Sequence, residues 1–386
     1  MKQWKKRGLV LSMAGMLAVT PLSGCQQKSV DNDKVLATVG DTEISYGVAN
    51  FYARMVQSRY ENYYTDLTGS TPSEFWEQNF LGQIYEESVK NDLMDTMVEL
   101  CLVSQHAEEY DIALTEEEQK AIEKAAADFE EQNDLETKKL VSGYAKYIEE
   151  YLTMFTIQKK MDAPMKEGVD EEISDEEAAQ KSMKYVFFSY TKEDDGDSEE
   201  KSEDDSKEKS EDDSEMSDEE KEELKTRAEK FAKELKDSKD KDIDALAEEA
   251  DVKVETVTFD SETRVPDTAL IEEADQLREN ESTDVIETDS GLYVGVVTSL
   301  LDRKATDEKK ESMIQDRKDE QYDSLIEEWK GETEITVDNE LWQSIDFASH
   351  GVSDQDGRED QDDSGEDGSS RESQDTEKSK ADETAD

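Results

Sequence analysis

Two cysteines, two histidines and a large surplus of carboxylates carry whatever side-chain chemistry this 386-residue chain can do. An imidazole is the usual general base near neutral pH, and a thiol is a nucleophile or a site of acylation. His106 falls late in a long amphipathic run, allows no Ser-x-His-Asp arrangement around it, and reads as a surface or interface residue. With 104 Asp+Glu, neighbouring carboxylates are no signal of a tuned acid/base pair. There is no GxGxxG and no GK[ST] loop to cradle a phosphate. The acidic repeats near Asp204 and Asp212 suit loose Ca²⁺ attraction at most. No segment meets the EF-hand rule: a loop with Gly365 requires Glu at 371, where Arg371 stands. No cofactor and no metal is expected. Cys101 lies inside an apolar helical run and reads as a buried structural thiol.

Cys25 is different. Lys2, Lys5, Lys6 and Arg7 form a basic start, Gly8 to Leu22 is an uncharged and mostly apolar run, and Leu22-Ser23-Gly24-Cys25 follows. The run is short for a membrane span and has the layout of a secretory leader. Small residues before the Cys resemble the bacterial lipobox. That resemblance implies cleavage after Gly24, lipidation of Cys25 and a polar tether from Cys25 to about Lys34. Several acyl chains on one Cys are enough for stable anchoring.

The elements that must position any site can be read from period and caps. Val35 to Ser45 reads as a hairpin around Gly40-Asp41, and a helix carrying Val48, Phe51, Tyr52, Met55, Arg59, Tyr60 and Tyr63 follows. Thr71-Pro72-Ser73-Glu74 is a capping box, predicting one helix that runs through Phe75, Trp76, Phe80, Ile84 and Tyr85 to about Tyr110. Thr115 to Glu118 is a second box. A helix over Glu136–Met161 and a short one capped by Ser174 complete a helical region. Met183 to Tyr190 then reads as a strand, followed by helices at 217–236, 243–250 and 270–277. Strands are expected at 252–259, 283–288 and 291–300. A closing helix runs from about Asp307 to Trp329.

Charge is concentrated. The formal net charge is −59; residues 193–222 hold 18 acidic and 4 basic side chains, and residues 349–386 hold 14 and 4. Lys201-Ser202-Glu203-Asp204-Asp205-Ser206 recurs as Lys209-Ser210-Glu211-Asp212-Asp213-Ser214. Such tracts cannot pack a core and read as disordered. A balance this acidic argues against nucleic acid as a partner. With 33% hydrophobic residues, it also argues against a polytopic membrane protein.

The hairpin, the helix opened by Ser45-Tyr46, and the long helix ending at Leu114-Thr115-Glu116-Glu117-Glu118 resemble the N-terminal domain of PrsA/SurA-type extracytoplasmic foldases. The ending Glu334-Ile335-Thr336-Val337-Asp338-Asn339-Glu340-Leu341-Trp342 is similar to that family's last segment. Residues 277–293 are similar to the parvulin pattern LxxGxxSxxxxTxxGYH. Leu277, Thr288 and Gly291 match; Asn280 stands for Gly, Thr283 for Ser and Tyr293 for His, and Tyr185 occupies the first-strand His position.

The resemblance implies an α+β chain. A helical SurA-N-like chaperone domain (35–181, completed by 303–347) carries an inserted parvulin-like domain of FKBP-like β/α type (182–302, with the acidic insert 193–222). A leader (1–24), a tether (25–34) and an acidic tail (348–386) flank it. Parvulins lower an amide barrier of about 18–20 kcal/mol with an apolar prolyl pocket and a polar network. Neither His lies in 182–302, so a parvulin His pair is absent. Tyr185, Phe259, Leu270 and Tyr293 are the prolyl-pocket candidates; they serve equally as sheet core. Phe51, Tyr52, Met55, Tyr60, Met94 and Met97 are the client-binding candidates, since soft and aromatic surfaces suit promiscuous binding, and they too serve equally as packing.

The implied function is a lipid-anchored chaperone or foldase on the extracytoplasmic side of a bacterial membrane. Its partners would be unfolded or partly folded secreted proteins, and its prolyl isomerase-like domain would be weak or inactive. Two alternatives stand beside it: an active peptidyl-prolyl cis-trans isomerase with a divergent pocket, and a non-catalytic surface scaffold lipoprotein.

Overall fold

The computed structural model describes residues 17–21, 30–68, 71–80, 82–191, 216–238 and 242–354. Cys25, most of the acidic insert and residues 355–386 lie outside them. The chain divides into two compact units, Met1–Met161 with Ile326–Asp386, and Asp162–Leu325.

The first unit is mainly helical. β1 (Leu17–Pro21) pairs antiparallel with β11 (His350–Asp354). The expected hairpin is β2 (Val35–Val39) and β3 (Thr42–Ser45), turning at Gly40, whose φ of +57° favours glycine. β10 (Ile335–Val337) adds a third strand beside β2, bringing the far end of the chain onto the hairpin. α1 (Tyr46–Thr68), α3 (Tyr85–His106), α4 (Glu116–Gln132), α5 (Leu135–Val141) and the start of α6 (Ala145–Met165) surround a core that includes Phe51, Met97, Leu102, Phe129, Ile148 and Leu152.

Two long helices expected from the sequence are broken. The first divides into α2 (Pro72–Trp76) and α3, separated by a two-residue hairpin of β4 (Asn79–Phe80) and β5 (Gln83–Ile84). The Asn79 side chain accepts the Gly82 N–H there, and Gly82 sits at φ +93°. The Thr71–Glu74 capping box starts a helix of only five residues, which delivers Trp76 to the core. The second divides at Ser142, whose φ is +52°. A Cβ on the next residue, Gly143, would meet the Phe129 ring at 2.8 Å. The break is held by the Asn50 amide, which donates to Leu140 O at 2.7 Å and to Ser142 Oγ at 2.8 Å.

The tether and tail expectations are shortened at one end each. Asn32, Asp33 and Lys34 are docked: Asn32 O accepts the Gly47 N–H, Asp33 accepts the Tyr147 hydroxyl, and Lys34 pairs with Asp338 at 2.9 Å. The tail expected from 348 instead contributes β11, because side chains of α1 meet its backbone polar groups.

The second unit is one antiparallel sheet, in the order β7-β6-β9-β8, with helices on both faces. Its strands are β6 (Lys181–Ser189), β7 (Val254–Phe259), β8 (Ile286–Glu287) and β9 (Gly291–Ser299). Val186, Phe188, Leu292, Val294 and Val296 face α7 (Asp218–Asp237) and α8 (Ile243–Ala250). Met183, Tyr185, Tyr293 and Val297 face α9 (Thr268–Asp275). Covering both faces explains why β6 and β9 read as near-continuous apolar runs and not as alternating ones. α7 starts at a Ser217–Glu220 capping box, so the last residues of the expected 193–222 insert are helical. The Met216 N–H donates to Tyr190 O at 3.2 Å, so the two ends of the insert meet.

The Ser174–Glu177 box forms both of its bonds but closes a single turn and no helix, since Asp175 is tied to Arg303 and Lys310. α10 (Arg303–Glu332) follows β9. α11 (Asn339–Gln343) lies between β10 and β11 in the first unit.

Candidate functional site

The four prolyl-pocket candidates come together on the α9 side of the sheet. Phe259 and Leu270 are 0% exposed, and Tyr185 and Tyr293 are 6% and 7% exposed. Tyr185 and Tyr293 lie with ring centroids 5.9 Å apart, and Phe187, half-buried and absent from the sequence candidates, stacks on Tyr293 at 4.4 Å. The Tyr185 hydroxyl donates to Glu255 Oε2 at 2.8 Å. Burial, and then the Glu255 carboxylate, push the Tyr185 phenol well above its ordinary value, so it stays a neutral donor. Phe259 and Leu270 present no surface on which a prolyl ring can sit. The partly exposed aromatic ring on this face is Phe187, stacked on the buried Tyr293.

The residues that carry the parvulin-like pattern hold the strand ends. Asn280 adopts φ +63°, a conformation open to Gly and Asn, and its N–H donates to Val297 O at 2.7 Å. Thr283 Oγ1 accepts the Gly295 N–H at 3.0 Å. Thr288 donates its hydroxyl to Gly291 O at 3.0 Å. A Cβ at Gly291 would meet Phe188 O at 2.3 Å, so only glycine fits. At the end of β7, Asp260 accepts from Gln180 Nε2 at 2.8 Å and Thr263 Oγ1 at 3.0 Å, with Lys309 at 3.4 Å.

In the first unit the six client-binding candidates divide. Phe51 and Met97 are core, Met94 is nearly so, and Tyr52, Met55 and Tyr60 are half-buried. Tyr52 stacks on Tyr151 at 5.2 Å. Arg59, read with the apolar set, is exposed. Tyr60 belongs to a continuous aromatic cluster: Tyr64 and Phe75 stack at 5.1 Å, Trp76 and Tyr85 at 5.8 Å, and Trp76 reaches Phe347 at 4.9 Å. Tyr63 extends from it, 67% exposed and 4.9 Å from Tyr64.

A second feature escaped the sequence reading. Arg54, Gln57 and Glu61 lie on one face of α1 and are buried. Together they grip the backbone of residues 346–352. Arg54 donates to Asp346 O at 3.0 Å, Gln57 Nε2 donates to His350 O at 2.7 Å, and Glu61 Oε2 accepts the Val352 N–H at 2.6 Å. From α3, Glu86 accepts the Phe347 N–H at 2.9 Å and buried Lys90 donates to Ile345 O at 2.7 Å. Burial pushes the Glu61 carboxyl up, against bonds from Trp76, Gln57 and Val352. Burial, then the Arg54 charge, hold the His350 imidazole below its ordinary value. The signal in the sequence was polar residues three and four apart in a helix otherwise rich in apolar ones.

His106 stacks on Trp329 at 4.0 Å and meets Glu109 at 2.9 Å; Cys101 is buried. Among the described residues no helix is long and apolar enough to cross a membrane.

No family model matches the chain, and no curated protein sequence does. Among solved structures the chain is similar to the foldase protein PrsA of Streptococcus pneumoniae, at 16% identity over 69% of this chain and 97% of that one, with a TM-score of 0.28. It is also similar to the foldase protein PrsA of Lactococcus lactis, at 13% identity over 81% and 97%, with a TM-score of 0.30. A structure described among two SurA-like chaperones of Campylobacter jejuni matches at 8% identity over 78% and 98%, with a TM-score of 0.26. At these scores no activity and no site residue passes from those proteins to this one.

Proposed function

We propose that the chain is an extracytoplasmic chaperone or foldase, held at a bacterial membrane through lipidated Cys25, that shields unfolded secreted polypeptides. The observation that carries this reading is the treatment of residues 345–352. The first unit grips residues 345–352, a turn that runs into β11, largely at main-chain atoms, with four buried side chains and the partly buried Glu86, beside a partly exposed aromatic face. Main-chain recognition tolerates any sequence, and Tyr60, Tyr63, Tyr64 and Met55 add contact that needs no fixed partner shape. In the second unit the candidate pocket is filled by its own side chains and 162–325 contains no His, which supports weak or absent isomerase activity.

The test runs two assays on one preparation. At stoichiometric ratio the protein is expected to delay aggregation of an unfolded client, and Tyr60→Ser with Tyr63→Ser to weaken that protection several-fold. A protease-coupled prolyl-peptide assay is expected to stay at background. Rate enhancement that disappears in Phe259→Ala with Tyr293→Ala would instead establish the divergent isomerase, and no effect on aggregation would favour a passive scaffold.

A further inference from the structure

β11 is held differently on its two edges. On one edge its backbone meets side chains of α1 (Gln57 and Glu61), which stand in for a neighbouring strand. On the other it pairs with β1 in the register Leu17↔Asp354, Ala18↔Ser353, Val19↔Val352, Thr20↔Gly351 and Pro21↔His350. The Val352 N–H points to Glu61 and the Leu17 N–H points to Asn133 Oδ1, at 2.9 Å. In an antiparallel pair, hydrogen-bonded and non-bonded pairs alternate. The donors and acceptors of Ala18, Thr20, Gly351 and Ser353 therefore face across the β1–β11 ladder. Leu17 is seated to 4% exposure, with α5 alongside β1.

β1 lies inside the stretch that reads as a leader ending at Gly24. Cleavage before Cys25 removes the whole strand and leaves behind the edge of β11 and the seat of Leu17 beside α5. An exposed strand edge is a template for any extended chain. We infer that this edge is a binding site for an extended segment of unfolded polypeptide, which adds to β11 as an antiparallel strand with an apolar side chain in the Leu17 seat. The uncleaved leader occupies the site in place of a client. The inference deepens the chaperone reading, rests on it for the occupant, and rests on cleavage before Cys25 for the vacancy. The occupant is argued from the segment seated there: its ladder uses main-chain groups that any client possesses, and its Leu17 is buried.

The test uses the full chain throughout, with Cys25→Ser to keep the leader attached. The probe is a fluorescein-labelled peptide of residues 15–23, followed by anisotropy, with a scrambled peptide as control. A tethered segment competes at an effective concentration of order mM, so the intact chain should take up the probe poorly. Ala18→Pro removes a ladder donor from β1 and should release it, tightening probe binding at least tenfold. Adding Ser353→Pro, which removes the facing donor of β11 and leaves the Val352–Glu61 bond, should abolish the gain, with circular dichroism confirming the fold.

Equal affinity of the intact and Ala18→Pro chains would overturn the inference, as would binding that survives Ser353→Pro. A dimer of the Ala18→Pro chain that takes up no probe would also overturn it, assigning the edge to a second copy. Client aggregation measured on the same samples separates the two proposals. Protection without probe binding removes the edge site and keeps the chaperone. Probe binding without protection keeps the edge site and removes the chaperone.

Discussion

Single residues in the second unit divide into those that hold the sheet and those that would have to do chemistry. Asn280 and Gly291 meet backbone demands that few residues satisfy, and Thr283 and Thr288 tie strand ends together. Tyr185 and Tyr293, which stand where the parvulin pattern has histidines, are packed against α9 and each other. Asp260 shows what one residue contributes to this scaffold. Burial works against its charge, yet bonds from Gln180, the Glu262 N–H and Thr263, with Lys309 nearby, lower its pKa from 3.8 to about 2. A carboxylate whose folded pKa is depressed contributes stability above its unfolded pKa, and that stability is lost as the pH falls from 3.8 towards 2. Asp260→Asn is therefore expected to cost about 1–2 kcal/mol at neutral pH and almost nothing near pH 2. Urea unfolding at the two pH values checks this, and a cost independent of pH would show that the side chain acts by shape alone.

At the scale of elements, three of the four capping boxes mark where a helix starts, the Ser174 box closes only a turn, and none says where a helix stops. Thr71, Thr115 and Ser217 each cap the helix expected of them, but the first stops after Trp76 because that indole must turn into the core. Gly47, in the first turn of α1, shows how tightly such elements meet. A Cβ there would lie 2.5 Å from the Tyr147 ring, which is buried and bonded through its hydroxyl to Asp33. Gly→Ala in a helix is normally favourable by up to about 1 kcal/mol. Here overpacking is expected to reverse the sign and leave Gly47→Ala about 1–2 kcal/mol less stable. The same change in a Tyr147→Ala background should regain the normal helical preference. Denaturant midpoints of the four chains decide it, and a stabilised single variant would contradict the packing.

The whole molecule carries its charge unevenly, and the second unit accommodates the acidic insert at one point. The Tyr190–Met216 bond brings the insert's ends together beside β6 and the start of α7. Replacing 193–215 by a short turn should leave the fold intact and, by shortening a loop, raise stability by about 1 kcal/mol. Extending the deletion to 222 would remove the Ser217–Glu220 cap and the first turn of α7, and should cost about 1 kcal/mol or more. Thermal melts of the two deletions separate the outcomes; a large loss from the shorter one would make the insert part of the structure.

Much of this was legible in the residues themselves: the hairpin, most helix starts, β6 and β9, the absence of His from 162–325, and the separation of charged tracts from packing segments. These follow from local period, caps and composition, which act over a few neighbours. The residues expected to meet as a prolyl pocket do meet, because period 2 places them on one sheet face, but whether they line a hole or fill it depends on α9. The grip on residues 345–352 and the pairing of 17–21 with 350–354 were not legible. Both join segments roughly 300 residues apart, and both use backbone groups, which every sequence possesses and which therefore leave no mark on it. Only the packed chain decides which backbone edges find a partner.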